Sequence, residues 1–223
     1  MKKFELTNEF VTNMFGTKLF RIRALVEFGD VEAGELGGYV EKESNLGHDD
    51  NAWVYGNAQV SGDARVYGNA LVYGNAWVHG DAQVSGDARV YGNAWVYGDA
   101  QVSGDARVYG NAWVYGNAWV YGDAQVSGDA RVCGDARVCG NGDYAYAHGF
   151  GSVNRTTTFF RLKDGGVGVR CGCFYGTLAQ FRDKIRETHG ETKKAQEYLM
   201  LADLMELRFE EDENEVGNRK YVE

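Results

Sequence analysis

From Asn51 to Gly140 the small and apolar positions recur every six residues. Each unit reads Asn/Asp-Ala-x-Val-x-Gly, and fifteen units follow one another without an insertion. Ala and Val lie two positions apart, so in a strand their side chains share one face while the variable residues point to the other. Gly followed by Asn or Asp supplies a bend, because these residues accept a positive φ. The pattern predicts a very short strand and a sharp turn in every unit.

A chain that bends every six residues is predicted to close into a polygonal coil. Three sides per turn use eighteen residues, so the fifteen units give five regular turns. At about 4.8 Å per turn such a coil is roughly 24 Å long. Ala and Val fill its interior, and backbone hydrogen bonds run along its axis. We therefore expect a mainly β protein with a three-sided parallel β-helix over residues 51–140.

The chain on the N-terminal side of the repeat is predicted to cap the coil. Residues 4–11 and 18–27 alternate in the manner of strands. An uncapped coil would expose Val side chains and unpaired backbone groups. Residues 1–50 are therefore interpreted as an N-terminal β cap.

On the C-terminal side, residues 141–223 are predicted to form a small α+β unit. The stretch 141–154 is rich in Gly and Asn and is interpreted as a junction. Strands are predicted at 155–163 and 167–174, on either side of the turn signal Asp-Gly-Gly. A capping-box pattern at Thr177 and helical spacing of apolar residues predict two helices, 177–190 and 192–209. The expected order is ββαα.

The repeat resembles a known family of proteins. The hexad is similar to the hexapeptide repeat of left-handed parallel β-helices, and this resemblance implies the left-handed sense, which the repeat alone does not. GDVEAGELGGYVEKESNLGHDDNAWVYGNA (residues 29–58) resembles a segment of repeat proteins common in phages and prophages. GSVNRTTTFF and CGCFYGTLAQF resemble a segment that follows the repeats in those proteins. The resemblance covers residues 1–140 well.

When the outward positions are sorted by eighteens, one of the three faces is aromatic. Five of its residues are Trp77, Trp95, Trp113, Tyr97 and Tyr115. Stacking between turns stabilises a sheet by about 0.2–1 kcal/mol per pair, which is one interpretation. A flat aromatic surface is also typical of a protein interface, through which the chain would form a homo-oligomer, or of a platform for a small ligand. The sequence leaves these alternatives open.

The four cysteines are expected to be reduced. Cys133 and Cys139 occupy equivalent repeat positions, are expected to point outward and lie too far apart for a disulfide. Cys171 and Cys173 are two residues apart on a predicted strand, which is also poor disulfide geometry. A lone Cys-x-Cys lacks the two further ligands that zinc requires, so we expect no metal site. No cofactor is indicated.

Charge and hydropathy limit the classes of partner and the cellular location that we expect. The net charge of −9 argues against a duplex nucleic-acid binder. No apolar run approaches 18 residues, so we expect no membrane span. The N-terminal sequence MKKFELTNEF lacks the apolar core of a signal peptide, so a cytoplasmic location is expected, in the host cytoplasm if the chain is phage-encoded.

One segment is suited to an anion. Residues 141–190 carry seven basic and four acidic side chains. Within this segment Ser152, Arg155, Thr156 and Thr157 combine hydroxyls with a guanidinium, groups that bind phosphate oxygens. A Thr-rich edge strand without a ligand is the simpler interpretation of the same residues.

Two functions follow as hypotheses. In the first, the rod is a non-catalytic scaffold that binds a host protein or a small anionic, nucleotide-like signal, and the phage resemblance implies counter-defence by sequestration. In the second, the chain is an acyltransferase that uses acyl-CoA, because many hexapeptide β-helices are acyltransferases with a His at a trimer interface. His79 is the only candidate catalytic residue, and no inserted loop or carboxylate accompanies it in the repeat.

Overall fold

The computed structural model describes residues 2–151 and 155–210. The protein is mainly β, as predicted. A parallel β-solenoid of about six turns is preceded by antiparallel strands and followed by an antiparallel sheet and two helices. The left-handed sense stays a prediction.

The three predicted columns are the three sheets of the solenoid. Residues eighteen apart pair in parallel, as Trp95 does with Trp113. The first face contains β4 (Trp53–Val54), β7 (Leu71–Val72), β10 (Arg89–Val90), β13 (Arg107–Val108) and β16 (Gln125–Val126). The second contains β5 (Gln59–Val60), β8 (Trp77–Gly80), β11 (Trp95–Gly98), β14 (Trp113–Gly116) and β17 (Arg131–Val132). The third contains β6 (Arg65–Val66), β9 (Gln83–Val84), β12 (Gln101–Val102), β15 (Trp119–Val120) and β18 (Arg137–Val138).

The interior of the coil is built from Ala and Val, as predicted. The Ala and Val of all fifteen units are fully buried in one continuous core. The turns need glycine for two reasons that Gly98 illustrates. Its φ is +71°, and a Cβ there would lie 3.1 Å from the backbone nitrogen of Gly116 in the next turn. Strand, turn and core therefore follow from the same six residues.

The N-terminal region contains β1 (Phe4–Thr12), β2 (Lys18–Ala24) and β3 (Leu36–Val40). The first two pair antiparallel and confirm the predicted strands. The third pairs antiparallel with β2 but parallel with β5, in register Val40 to Val60. The coil thus begins one turn before the repeat, and about six turns replace the expected five. The sequence analysis did not predict this turn, because it uses twenty residues, not eighteen, and its residues do not follow the six-residue pattern.

Two side chains and one backbone N–H end the axial hydrogen bonds at the first turn. In the regular coil, each Ala carbonyl accepts an N–H from the preceding turn, as Ala70 does from Trp53. The first three Ala carbonyls have no regular turn before them, and each finds another donor. The donors are Lys3 Nζ for Ala52 (2.9 Å), the Tyr39 backbone N–H for Ala58 (2.9 Å) and Asn45 Nδ2 for Ala64 (2.8 Å).

The C-terminal unit has four strands where two were predicted. Its elements are β19 (Tyr144–Phe150), β20 (Arg155–Arg161), β21 (Val167–Cys171), β22 (Phe174–Thr177), α1 (Leu178–His189) and α2 (Lys193–Phe209). The extra strand β19 lies in the predicted junction, where its glycines masked the alternation. The segment predicted as one strand, 167–174, is two, because Gly172 turns the chain at φ +58°. Both predicted helices and the capping box at Thr177 are confirmed.

The C-terminal sheet closes the last turn of the solenoid. Phe160 of β20 joins the core of the coil, while its neighbour Phe159 faces the helices. The N–H groups that a further turn would have used are taken by side chains. Their acceptors are Asn141 Oδ1 for Gln125 (2.9 Å), Thr158 Oγ1 for Arg131 (2.9 Å) and Asp143 Oδ2 for Cys139 (3.0 Å). In the described part of the chain, no helix is long and apolar enough to cross a membrane.

Lys3 gives the N-terminal closure a predictable pH dependence. Its side chain is buried beneath the ring of Phe28, and burial lowers its pKa to about 8. In the unfolded chain this lysine keeps its proton to about pH 10.4. Between these values the unfolded state binds more protons, so the folded state gains stability as the pH rises from about 8 to about 10, by at most about 1.4 kcal/mol per pH unit.

Urea unfolding of the wild type and Lys3→Met across this range measures the effect. The unfolding free energy of the wild type minus that of Lys3→Met is expected to increase as the pH rises. If the two plots of unfolding free energy against pH ran parallel, Lys3 would have the same pKa in the folded and unfolded states, and the prediction would be contradicted.

Candidate functional site

The second face of the solenoid carries two columns of stacked rings. Their ring planes lie within 18° of parallel, with centroids about one turn apart. Trp77, Trp95 and Trp113 stack at 4.9 and 5.4 Å, and His79, Tyr97 and Tyr115 stack at 5.0 and 4.9 Å. We call these six residues the aromatic face. The strands beneath them are four residues long, whereas the other strands of the regular coil have two.

Both ends of the aromatic face are closed. Phe15, at the tip of the β1–β2 hairpin, lies 6.2 Å from the Trp77 ring and 5.4 Å from His79. At the other end the Arg131 guanidinium lies 4.7 Å over Trp113. Both faces of Trp95 and Trp113 are therefore occupied, and only ring edges meet solvent. This geometry favours a ladder or an edge-on protein contact over the stacking of a planar ligand.

His79 is a member of the stack. Its ring lies flat against Tyr97, its Nε2 is buried, and this atom has no hydrogen-bond partner among the described residues. Burial lowers the pKa of His79 below its usual value, so the ring is neutral at pH 7. A general base needs a group that orients it and an approach for the substrate. The surroundings of His79 provide neither.

Two outward positions of the repeat are covered by the flanking regions. Trp53, on the first face, is fully buried beneath Phe4 and Phe28 of the N-terminal region. Cys133 lies outside the coil, as predicted, but it is only 3% exposed. Tyr175 of the C-terminal sheet lies close to it, and burial raises the pKa of its thiol. All four cysteines are free thiols, as predicted.

The C-terminal sheet and the second face enclose a cleft of about 560 Å³. Arg155 and Thr156 line it, together with Trp113 and Arg131 of the solenoid. The remaining lining residues are Asn111, Asp129, His148 and Gly172. We call this the junction cleft. Its volume lies within the range of small-molecule sites. The structure thus brings two of the predicted anion-binding residues next to the end of the aromatic face.

Polar groups converge in the junction cleft. Thr156 Oγ1 and His148 Nδ1 are 2.9 Å apart. Gly172 leaves room for the Arg155 guanidinium, since a Cβ at that glycine would lie 2.1 Å from Nη1. Neither Arg155 nor Arg131 forms a salt bridge within the described ranges. Two guanidinium groups and a hydroxyl therefore share the cleft with a single carboxylate, that of Asp129, and this is the chemistry of an anion site.

Of the other two predicted binding residues, Thr157 does not line the cleft. Thr157 is buried on the opposite side of β20, where its hydroxyl donates to Cys171 Sγ at 3.2 Å. Ser152 lies outside the described residues. Sequence reasoning missed His148, because its strand was taken as a junction, and Arg131, because its repeat position did not reveal that the C-terminal sheet faces it.

The fold and its repeats define a β-solenoid repeat protein. The family model described as "YdcK Beta solenoid repeat" matches residues 58–68, 64–80, 82–98, 100–116, 112–128 and 124–140. The chain is also similar to a protein of Escherichia coli (strain K12) named "Uncharacterized acetyltransferase YdcK". The two are 35% identical over 82 residues, which cover 30% of this chain and 25% of the relative. The chain therefore spans about a quarter of the length of that relative.

The stacked rings give a second testable prediction. Trp95→Ala removes a ring that stacks on both sides, and it is expected to destabilise the protein by about 2–4 kcal/mol. Trp119→Ala is the control, because this indole stacks on no other ring among the described residues and contacts the Arg137 guanidinium at 4.4 Å. A loss of about 1 kcal/mol is expected there. Equal losses in urea unfolding would show that ring stacking adds nothing particular to this face.

Proposed function

We propose that the protein is a non-catalytic binder that holds a small anionic ligand in the junction cleft. The observation that supports this most directly is the pairing of Arg155, from the C-terminal sheet, with Arg131, from the solenoid, in one cleft. Each arginine comes from a different unit, so the site exists only when the two are packed together. A rigid coil suits such a site because it fixes Arg131 without cost at the moment of binding.

The ligand class is nucleotide-like. Guanidinium groups bind phosphate oxygens bidentately, and the Thr156 hydroxyl and the His148 ring add further hydrogen bonds. Asp129, which accepts a hydrogen bond from Asn111 at 3.0 Å, is the one carboxylate in the lining, so two guanidinium groups and one carboxylate leave the cleft with an excess of positive charge. With the resemblance to phage proteins, we extend the proposal to sequestration of a host signal molecule, or of a host protein that carries such a group, as counter-defence.

A thermal-shift screen with pyrophosphate, nucleotides and sugar nucleotides tests the proposal. A ligand is expected to raise the melting temperature, and calorimetry then gives its affinity. Arg155→Gln and Arg131→Gln are each expected to weaken binding by about tenfold or more, because a hydrogen bond to a charged group contributes about 1.5–3 kcal/mol.

Arg107→Gln is the matched control. Arg107 occupies the same repeat position as Arg131 but lies exposed on the first face. Its substitution is expected to leave affinity unchanged. No shift with any of these anions, or an equal loss with the control variant, would contradict a site in the junction cleft.

Self-association through the aromatic face belongs to the same proposal. Its ring edges are half-buried and contiguous along three turns. A homo-oligomer that uses this face would dissociate to monomers when Trp95 is replaced, and the solution mass of the intact protein and of Trp95→Ala measures this.

Acyl transfer from acyl-CoA is the second candidate, and the name of the Escherichia coli relative is the observation that favours it. His79 would be its catalytic residue. We expect no acetyl-CoA turnover, since Nε2 of His79 is buried in a stack of rings. His79→Tyr keeps the ring column, in which Tyr97 and Tyr115 follow. Turnover in the wild type that is lost in this variant would favour the acyltransferase over the binder.

A further inference from the structure

The repeat has one irregularity of composition that creates a second concave surface. Successive units of the third face read DARVYG, DAQVSG and DAQVSG, and the next is NAWVYG, a copy of the unit just before it on the second face. This places Trp119 and Tyr121 above Gln101 and Ser103. Trp119 is 40% exposed, whereas the indoles of the aromatic face are half-buried. The copied unit therefore places a large, partly exposed ring next to Gln101 and Ser103 on the third face.

The C-terminal sheet folds over this ring. Leu162 bridges to Ala136, and the Lys163 backbone N–H donates to the Asp135 carbonyl at 3.0 Å. The result is a groove of about 380 Å³, which we call the third-face groove. It is lined by Gln101, Ser103, Trp119, Tyr121, Arg137, Cys139, Asp143, Arg161, Leu162 and Lys163. It does not share a lining residue with the junction cleft.

The charges of the third-face groove are unbalanced. Three cations line it, against one carboxylate, that of Asp143. This carboxylate is already engaged, because its Oδ2 accepts from the N–H groups of Cys139 and Gly140 at 3.0 and 3.2 Å and from the Cys139 thiol at 3.0 Å. Its Oδ1 lies 3.9 Å from Arg161 Nε. One carboxylate therefore offsets one of the three cations.

The cations have hydrogen-bonding capacity left. Arg161 is 8% exposed, and its buried Nε has no hydrogen-bond partner in the part of the chain that the structure describes. Lys163 is exposed, and it forms no salt bridge within that part. Lys163 is therefore the cation that an anionic group entering the groove meets first.

We infer that the third-face groove is a separate binding site for a small amphiphilic anion, with a carboxylate or sulfonate joined to an aromatic or aliphatic body. The Trp119, Tyr121 and Leu162 side chains contact the apolar body. Lys163 and Arg161 pair with the anionic group, and Arg137 stays stacked on Trp119. This site is additional to the junction cleft, with which it shares no lining residue.

The test uses 8-anilinonaphthalene-1-sulfonate, a dye of this class whose fluorescence rises in apolar surroundings. Titration of the folded protein is expected to give a single saturable site. Two variants are each expected to raise the dissociation constant about tenfold: Trp119→Gln and Lys163→Gln. The first of them continues the column formed by Gln83 and Gln101. Unchanged far-UV circular dichroism and a cooperative melting transition show that the variants remain folded.

Two comparisons identify the site. Arg155→Gln alters the junction cleft and is expected to leave dye binding unchanged, so failure of one site does not imply failure of the other. The uncharged parent compound, N-phenyl-1-naphthylamine, is expected to bind at least about tenfold more weakly, as the loss of a charge-assisted hydrogen bond implies. Undiminished dye binding by Trp119→Gln would overturn the groove as the site, and equal affinity for the neutral compound would overturn the anionic class.

Discussion

The structure depends on a ladder of backbone hydrogen bonds that runs along the solenoid axis. Each turn donates to the next and accepts from the one before, so a regular coil has no internal reason to stop. Its first turn presents unused carbonyls and its last turn presents unused N–H groups, and an open β edge of this kind invites association. Described segments on both sides of the repeat supply hydrogen-bond partners at these two ends. Lys3 and Asn45 serve the first turn, and Thr158 and Asp143 serve the last.

The same ladder explains the surface chemistry. Parallel pairing in register places chemically similar residues one turn apart, so any aromatic position that the repeat copies becomes a stack of rings. Stacking covers the faces of these rings and exposes only their edges to solvent. The aromatic face therefore offers less accessible ring surface than the number of its aromatic residues indicates. The two concave sites described above lie where this regularity is interrupted. Both candidate sites lie where the C-terminal sheet folds against the last turns of the coil.

The sequence alone was sufficient to predict the coil, because the six-residue spacing determines the strands, the turns, the core and the register together. It was also sufficient for both helices, since capping at Thr177 and apolar spacing act locally. It did not reveal the first turn, where Gly37 and Gly38 allow close approach: a Cβ at Gly38 would lie 2.7 Å from the Ala58 carbonyl. Nor did it reveal β19, whose pairing with β20 is a tertiary contact. Arg155 and Thr156 were identified as candidates from composition, but their neighbour Arg131 depends on how the sheet docks on the rod.

The closure of each end acts on a single turn. Lys3, Tyr39 and Asn45 satisfy the first set of carbonyls, and Phe160 covers the last layer of the core. The intervening layers are interchangeable, so the coil behaves as a spacer whose length is quantised in steps of eighteen residues, or about 4.8 Å. Genes that gain or lose one such segment by recombination between near-identical hexads would encode longer or shorter rods with both ends intact. The distance between the N-terminal hairpin and the helical pair is thus a property that evolution can adjust without redesigning either.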